Sequence, residues 1–329
     1  MDGWLIFLAL FAFFAILYLG RKLEENITQP FIASMQEGFT DGKAGASAPT
    51  GAVKESSGTV QWLDNEQLYD SFYASVYDQL TQGSVRTQAE VGLMLHEWTK
   101  RGEDMKTFEV LDIGCGTGIA AAALAKIGCK RVVGLDKSEA MIHQSKTNTL
   151  PQSTLTQEQK GIVSWRTTDA INPSAAAAGE FSHAFLMYFT VYYFGDKEAL
   201  FRNIFLWVKP GGKMTISVVN KHKFDPLLDS ASPFSFSVQK YAKHRVTKSE
   251  VSFNNFNYTG EFDLQDPGAE FRETFRFKDS TIRRQRHTFR MEDINEIVGF
   301  AKAAGWTYLG FVDLVNIGFE YGYHLHFRK

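Results

Sequence analysis

The chain has 329 residues, 44% of them hydrophobic, enough for one large domain or two small ones. A formal net charge of −2 makes no global electrostatic case for nucleic acid, so none is expected as a partner. The two cysteines, Cys115 and Cys129, are too few for a disulfide framework or a metal cluster; no metal is expected, and a reducing, cytosolic setting fits.

Residues 3–20 (GWLIFLALFAFFAILYLG) carry no charge. At the helical rise this run spans roughly 27 Å, enough to cross a hydrocarbon core. It begins Met-Asp-Gly and is followed by Arg21 and Lys22, the reverse of a cleaved signal peptide. Positive charge after the run places that end in the cytosol. Being apolar on every face, it does not read as an amphipathic core helix. Residues 1–22 are therefore expected to be a single-pass membrane anchor, with the rest of the chain facing the cytosol. Residues 23–61 read as a flexible tether, because 40–60 are rich in Gly, Ala, Ser and Thr and cannot bury a core. Residues 62–329 form the folded domain.

In segment 64–80, Leu68, Phe72, Val76 and Leu80 recur near the helical period, with Tyr69, Tyr73 and Tyr77 four apart. A second helix is expected over 86–101. Strands and helices then alternate: strand 110–113, Ala-rich helix 119–127, strand 131–135 ending at Asp136, helix 138–147, strand 162–166, strand 181–187 and helix 197–207. Lys-Pro-Gly-Gly stops that last helix before strand 213–219. Helix 291–304 and strands near 307–314 and 321–328 close the chain. The order predicts an α/β fold, a doubly wound, seven-stranded, mostly parallel Rossmann-like sheet. Residues 220–290, whose second half alternates strongly, are expected to form a β-rich cap inserted between strands five and six. A structural flap or a dimer arm is an alternative for that insertion.

The most specific stretch is 109–118, Glu-Val-Leu-Asp-Ile-Gly-Cys-Gly-Thr-Gly. A buried strand runs into a turn of glycines at 114, 116 and 118, where backbone can approach a small molecule at the C-terminal edge of a sheet. A dinucleotide fingerprint G-x-G-x-x-G wants glycine at 119, which here is Ile119. The pattern D-x-G-x-G-x-G, led by Asp112, resembles motif I of the class I S-adenosylmethionine-dependent methyltransferases. Cys115 inside the turn reads as a small residue rather than a reactive thiol.

The resemblance covers about residues 64–329 and implies S-adenosyl-L-methionine as cofactor. Gly114, Gly116 and Gly118 form the cradle. Asp112 orders the glycine loop or meets the methionine amino group. Asp136 can accept both hydroxyls of a ribose; the competing reading is a helix cap, for which Ser138 is better placed. Asp169, after strand three, reaches the adenine amino group, Ala170 offers its backbone N–H to the ring, and Met187 ends strand four at the site. Tyr69-Asp70 and Tyr77-Asp78 look like the tyrosine-rich entry helix that closes over the cofactor in small-molecule methyltransferases. This chain departs from the family in having Phe181-Ser182 where relatives often carry Phe-Asp, and Tyr192-Tyr193 in place of a frequent His-His pair.

No catalytic residue is assigned from sequence, since aligning a nucleophile with the methyl group is the main task and a base matters only for a protonated acceptor. His183, His222, His287, Tyr188, Tyr192 and Tyr193 are candidates, with His183 expected in the sheet core beside Phe185. The Asn/Asp-Pro-Pro-Tyr motif of DNA-adenine and glutamine methylation is absent after strand four. The basic run Arg283–His287 reads either as a charge-guarded edge strand or as a site for a phosphate, an acidic acceptor or a lipid headgroup. A small-molecule or lipid-like acceptor is expected. A protein methyltransferase and a non-catalytic tethered scaffold are the alternatives, with a nicotinamide oxidoreductase disfavoured by Ile119.

Overall fold

Trp62–Leu63 form a two-residue strand, β1, in a computed structural model that describes residues 62–81, 83–227 and 244–329. The expected anchor at 3–20, the tether at 23–61 and positions 228–243 of the insertion lie outside the described residues. Among the described residues no helix is long and apolar enough to cross a membrane.

The first helix, α1, is Ser71–Thr81, shorter than the expected 64–80. Asp70 ends the preceding turn by accepting the Tyr73 N–H at 3.0 Å, capping the helix there. Helix α2 follows at Gly83–Thr99, then β2 at Glu109–Ile113, α3 at Ile119–Ile127 and β3 at Arg131–Asp136. Helix α4, Glu139–Gln144, stops earlier than expected and widens into a π turn at Ser145–Thr149. A short helix missed from sequence, α5 at Gln157–Gly161, is held by a Thr156/Gln159 capping box. Strand β4 is Val163–Thr167, β5 is Phe181–Leu186, α6 is Lys197–Trp207 and β6 is Val208–Val219.

Strand β6 thus starts five residues before the expected 213. Phe181 pairs with Val208 and His183 with Lys213, so Lys-Pro-Gly-Gly bulges out between two paired stretches. Proline has no N–H for the ladder, and Gly211 takes φ +78°, so the ladder lets this segment go. The insertion supplies β7 (Lys248–Ser252), β8 (Phe256–Gln265), β9 (Gly268–Phe277) and β10 (Ile282–Arg290). Helix α7, Ile294–Ala303, begins three residues after the expected 291, where the Glu296 carboxylate accepts the Asp293 N–H at 2.8 Å. Strands β11 (Thr307–Asp313) and β12 (Gly322–Arg328) end the chain.

Two sheets result. The larger has seven strands in the order β11-β12-β6-β5-β2-β3-β4. Strands β4, β3, β2, β5 and β6 pair in parallel, while β12 runs antiparallel to both β6 and β11. The sheet is mixed, with a single reversed strand. From β2 the chain winds out through β3 to β4, then returns to the other side of β2 with β5. That reversal opens a crevice at the C-terminal ends of β2 and β5. One face packs α2 and α3 through Val91, Met94, Trp98, Leu124 and Val132, and the other packs α6 and α7 through Leu200, Ile204, Trp207 and Ile297.

The smaller sheet has the order β1-β10-β9-β8-β7. Phe256, Tyr258 and Phe275 of this sheet pack with Tyr73, Leu80 and Met141 under α1. Strand β10 lies between β9 and β1, so the basic run is not an edge. Its charges are used internally: Arg283 bonds the Asp70 carboxylate at 2.6 Å, and Arg286 pairs with Asp64 at 2.9 Å.

The end of β10 is tied to α6 by Lys197. Its ammonium is buried, 2.6 Å from the Glu292 carboxylate and 2.9 Å from the carbonyls of Phe194 and Arg290. Removing one member of such a group strands the other in an apolar environment. Lys197→Ala is expected to cost about 3–5 kcal/mol in urea unfolding; a loss under about 1 kcal/mol would show that the pair contributes little.

Candidate active site

Strand β2 delivers Asp112 and the glycine turn to the crevice. Gly114, Gly116 and Gly118 all take positive φ, at +67°, +52° and +83°, a region glycine enters without steric cost. At Gly114 an added Cβ would stand 2.5 Å from Thr190 Cγ2, and at Gly118 it would stand 2.4 Å from the Trp165 ring. At Gly116 it would meet nothing within 4 Å, so this backbone faces open space. Gly118 is also the N-cap of α3.

Around this turn the cleft is lined by Tyr77 and Asp78 from α1, Asp112, Cys115 and Thr117 from the turn, and Met187, Tyr188 and Thr190 beyond β5. Tyr188 has φ +53°, uncommon for a bulky residue. Its hydroxyl bonds Thr87 and, at 3.3 Å, the Gly83 carbonyl, and the Arg86 guanidinium lies over its ring at 4.5 Å. Thr117 donates to Asp78 at 2.6 Å, stitching the entry helix to the glycine turn.

Two carboxylates dominate the electrostatics. Asp112 is 3% exposed, and its Oδ2 is buried with no hydrogen-bond partner. Burial, with Asp136 adding like charge, pushes its carboxyl well above the ordinary range. Asp136 at the end of β3 accepts the Gly116 N–H on Oδ2 at 2.9 Å and the Ser138 N–H on Oδ1 at 2.8 Å. Burial raises Asp136 too, countered by those two backbone N–H groups. Each carboxylate oxygen retains a second acceptor direction. Ser138, not Asp136, caps α4, its hydroxyl accepting the Met141 N–H at 3.1 Å. Burial first, then Asp112 and Asp136, pushes the Cys115 thiol well up, so it stays protonated and unreactive.

Of the expected site residues, Asp112, Gly114, Gly116 and Met187 line the cleft, Gly118 packs against Trp165 beside it, and Asp136 is tied to it through Gly116. Asp169 and Ala170 lie outside that wall. Asp169 is exposed and accepts the Ile171 N–H at 2.9 Å, while buried Ala170 gives its carbonyl to Asn203. Thr190 and Thr87 carry no sequence signal, since a lone threonine fits any loop or helix. His183 lies in the core, its ring 4.0 Å from that of Phe108 and 4.5 Å from that of Trp98, and burial pushes it down to about 3. His222 is exposed, and the Tyr192 hydroxyl is occupied by the Val219 backbone. Tyr193 and His287 meet each other at 2.5 Å.

Two consequences are measurable. Gly118→Ala is expected to lose about 2–5 kcal/mol by combining left-handed strain with overpacking against Trp165, while Gly116→Ala loses about 1–2 kcal/mol; equal losses in urea unfolding would contradict the two environments. Asp112 is raised in the folded state, so its ionisation opposes folding above the ordinary value of 3.8. Asp112→Asn should therefore stabilise the protein near neutral pH, and the gain should vanish below that value in unfolding measured across pH.

Comparison with known proteins matches residues 110–212 to the methyltransferase domain family. A ubiquinone biosynthesis O-methyltransferase of Coxiella burnetii is 30% identical over 118 residues, 36% of this chain and 46% of that protein. The chain spans about half the length of the curated relatives it matches. Among solved structures, an S-adenosylmethionine-dependent methyltransferase from Clostridium acetobutylicum aligns with a TM-score of 0.57 at 14% identity, covering 78% of this chain and 97% of that one. CalS10, an amino pentose methyltransferase from Micromonospora echinaspora solved with S-adenosylmethionine bound, aligns with a TM-score of 0.53 at 17% identity over 78% and 97% of the two chains. At these identities the likeness concerns the fold. Family match, strand order and glycine turn agree: residues 110–212 match a methyltransferase domain, in a chain with the fold of S-adenosylmethionine-dependent methyltransferases.

Proposed function

We propose that this chain transfers a methyl group from S-adenosylmethionine to a small-molecule or lipid-like acceptor, from a single-pass membrane anchor with its domain in the cytosol. The observation that carries the cofactor reading is the unpartnered, buried Oδ2 of Asp112 at a cleft floored by the open backbone of Gly116. A buried carboxylate oxygen without a donor is costly, and a ligand ammonium group supplies both charge and N–H.

The residues present fit that ligand. Asp112 would hold the amino group and Asp136 the ribose hydroxyls, with Asp136 fixed in place by its two backbone donors. The glycine turn lets the backbone lie against the ligand without a side chain between them. Asp169 and Ala170, which follow β4, are proposed for the adenine end. When bound, S-adenosylmethionine supplies an electrophilic methyl on a sulfonium. The chain's own part is to orient an acceptor toward it and keep water out, which Tyr77, Met187 and Tyr188 do at the cleft wall. A small-molecule acceptor is supported by the names of relatives and neighbours, an O-methyltransferase of ubiquinone biosynthesis and an amino pentose methyltransferase. The anchor is supported by the uncharged run at 3–20 followed by Arg21 and Lys22.

Calorimetry on the purified full chain is expected to show S-adenosylmethionine or S-adenosylhomocysteine binding, weakened at least about tenfold by Asp136→Ala, which is about 1.4 kcal/mol. No uptake by the wild type would end the enzymatic reading, and an unchanged affinity in the variant would end the ribose role. Deleting residues 1–22 should release the protein from membranes; continued pelleting would overturn the anchor.

A further inference from the structure

Where α1, the turn after β5 and the smaller sheet meet, six polar side chains form one hydrogen-bonded network. Glu273 on β9 is fully buried. Its Oε1 accepts from the Tyr258 hydroxyl at 2.7 Å, and its Oε2 accepts from Gln285 at 2.5 Å and lies 2.5 Å from His287 Nε2. On the other side of that ring, Nδ1 is 2.5 Å from the Tyr193 hydroxyl. Tyr69 donates to the Tyr193 oxygen at 2.7 Å.

The donor inventory fixes the direction. An ionised carboxylate only accepts, so His287 Nε2 carries the hydrogen facing Glu273. In the neutral ring Nδ1 is then the acceptor, and the Tyr193 hydroxyl donates to it. The Tyr193 oxygen has given its hydrogen and accepted one from Tyr69, which leaves a lone pair open. Burial pushes the Glu273 carboxyl up, but His287 beside it and hydrogen bonds from His287, Tyr258 and Gln285 outweigh this and hold it below its ordinary value.

Two connections bring this chain to the cleft. Tyr193 shares the single turn Thr190–Tyr193 with Thr190, a cleft residue. The rings of Tyr69, Tyr73 and Tyr77 meet edge to face in succession, with centroids 5.6 and 5.7 Å apart, and Tyr77 also lines the cleft. His287 and Glu273 are buried, whereas Tyr69 and Tyr193 are only half-buried, so the phenols form the outward end. A buried ionisable pair of this kind is not favoured by stability alone, since apolar residues pack as well or better.

We propose that Tyr193, His287 and Glu273 form a proton relay that takes the acceptor's proton as it is methylated. This rests on the methyltransferase reading of the cleft. As the bond from the acceptor atom to carbon forms and the S–CH3 bond breaks, the acceptor's proton passes to the Tyr193 oxygen. The Tyr193 proton passes in turn to His287 Nδ1, and Glu273 holds the resulting imidazolium. The acceptor is thus a hydroxyl or an N–H amine; a thioether or tertiary amine has no proton to deliver. Tyr193 is the catalytic residue, and His287 and Glu273 act through it.

The test uses the full chain with methyl-labelled S-adenosylmethionine and the small-molecule fraction of a cell extract. Tyr193→Phe, His287→Gln and Glu273→Gln should each lower kcat for label transfer about a hundredfold or more, the range of general acid–base catalysis. The KM and calorimetric affinity for S-adenosylmethionine should stay within about twofold. The titratable groups facing His287 are Glu273 from β9, Tyr73 from α1, Tyr69 just before it and Tyr193. Without any acceptor, nitrogen NMR of the free protein should show His287 protonated at Nε2, with its Nδ1 resonance shifted in Tyr193→Phe. A ring protonated at Nδ1, or Tyr193→Phe turning over within about twofold of wild type, overturns the relay. A wild type that binds no S-adenosylmethionine overturns the cleft reading, and the relay with it.

Discussion

The hydrogen bond from the Gly116 N–H to the Asp136 carboxylate, 2.9 Å long, joins the C-terminal ends of the neighbouring parallel strands β2 and β3, beside the β2/β5 point where the sheet reverses its winding. Gly116 itself takes positive φ, and an added Cβ there would meet nothing within 4 Å, so the backbone on its far side stays open. Gly114 must admit Thr190 and Gly118 must admit Trp165, so the turn is also wedged from both sides. The cleft exists because none of these three positions carries a side chain.

The same arrangement concentrates negative charge. Burial raises the proton affinity of both carboxyls, Asp136 adds to the rise at Asp112, and Asp112 keeps an oxygen without a donor. Folding alone has no use for such a pair, whose ionisation opposes burial. A cationic ligand reverses the sign of that cost. The cleft thus holds instability in the free protein that ligand binding relieves, the expected balance between stability and function at a site.

The smaller sheet gives α1 a second surface to lie on. Without β8, β9 and β10, Phe72, Tyr73 and Leu80 would face solvent, and the tyrosines of α1 would have no fixed rotamers. Arg283, bonded to Asp70 and to the Leu68 carbonyl, fastens the start of that helix to β10. Lys197 and Glu292 do the same work between β10 and α6. The aromatic floor that holds Tyr193 and His287 is in this way built by contacts between segments far apart in the chain.

Periodicity and turn chemistry act over a few residues, and what depends on them was legible in the chain. The strands at 110–113, 131–135 and 181–187, helix 119–127, the glycine turn and the positions of Asp112 and Asp136 all follow from local pattern. Boundaries shifted at α1, through a local cap, and at β6, through a distant strand partner. Asp70 shortened α1, and pairing of Val208 with Phe181 began β6 before a proline that reads as a stop. The tertiary fold alone decided that Thr190 fills the space at Gly114, that Arg283–His287 is an inner strand, and that His287 meets Tyr193 across 94 positions. Such contacts leave no mark in sequence, because a side chain's neighbours across a sheet are set by strand order and register rather than by its place along the chain.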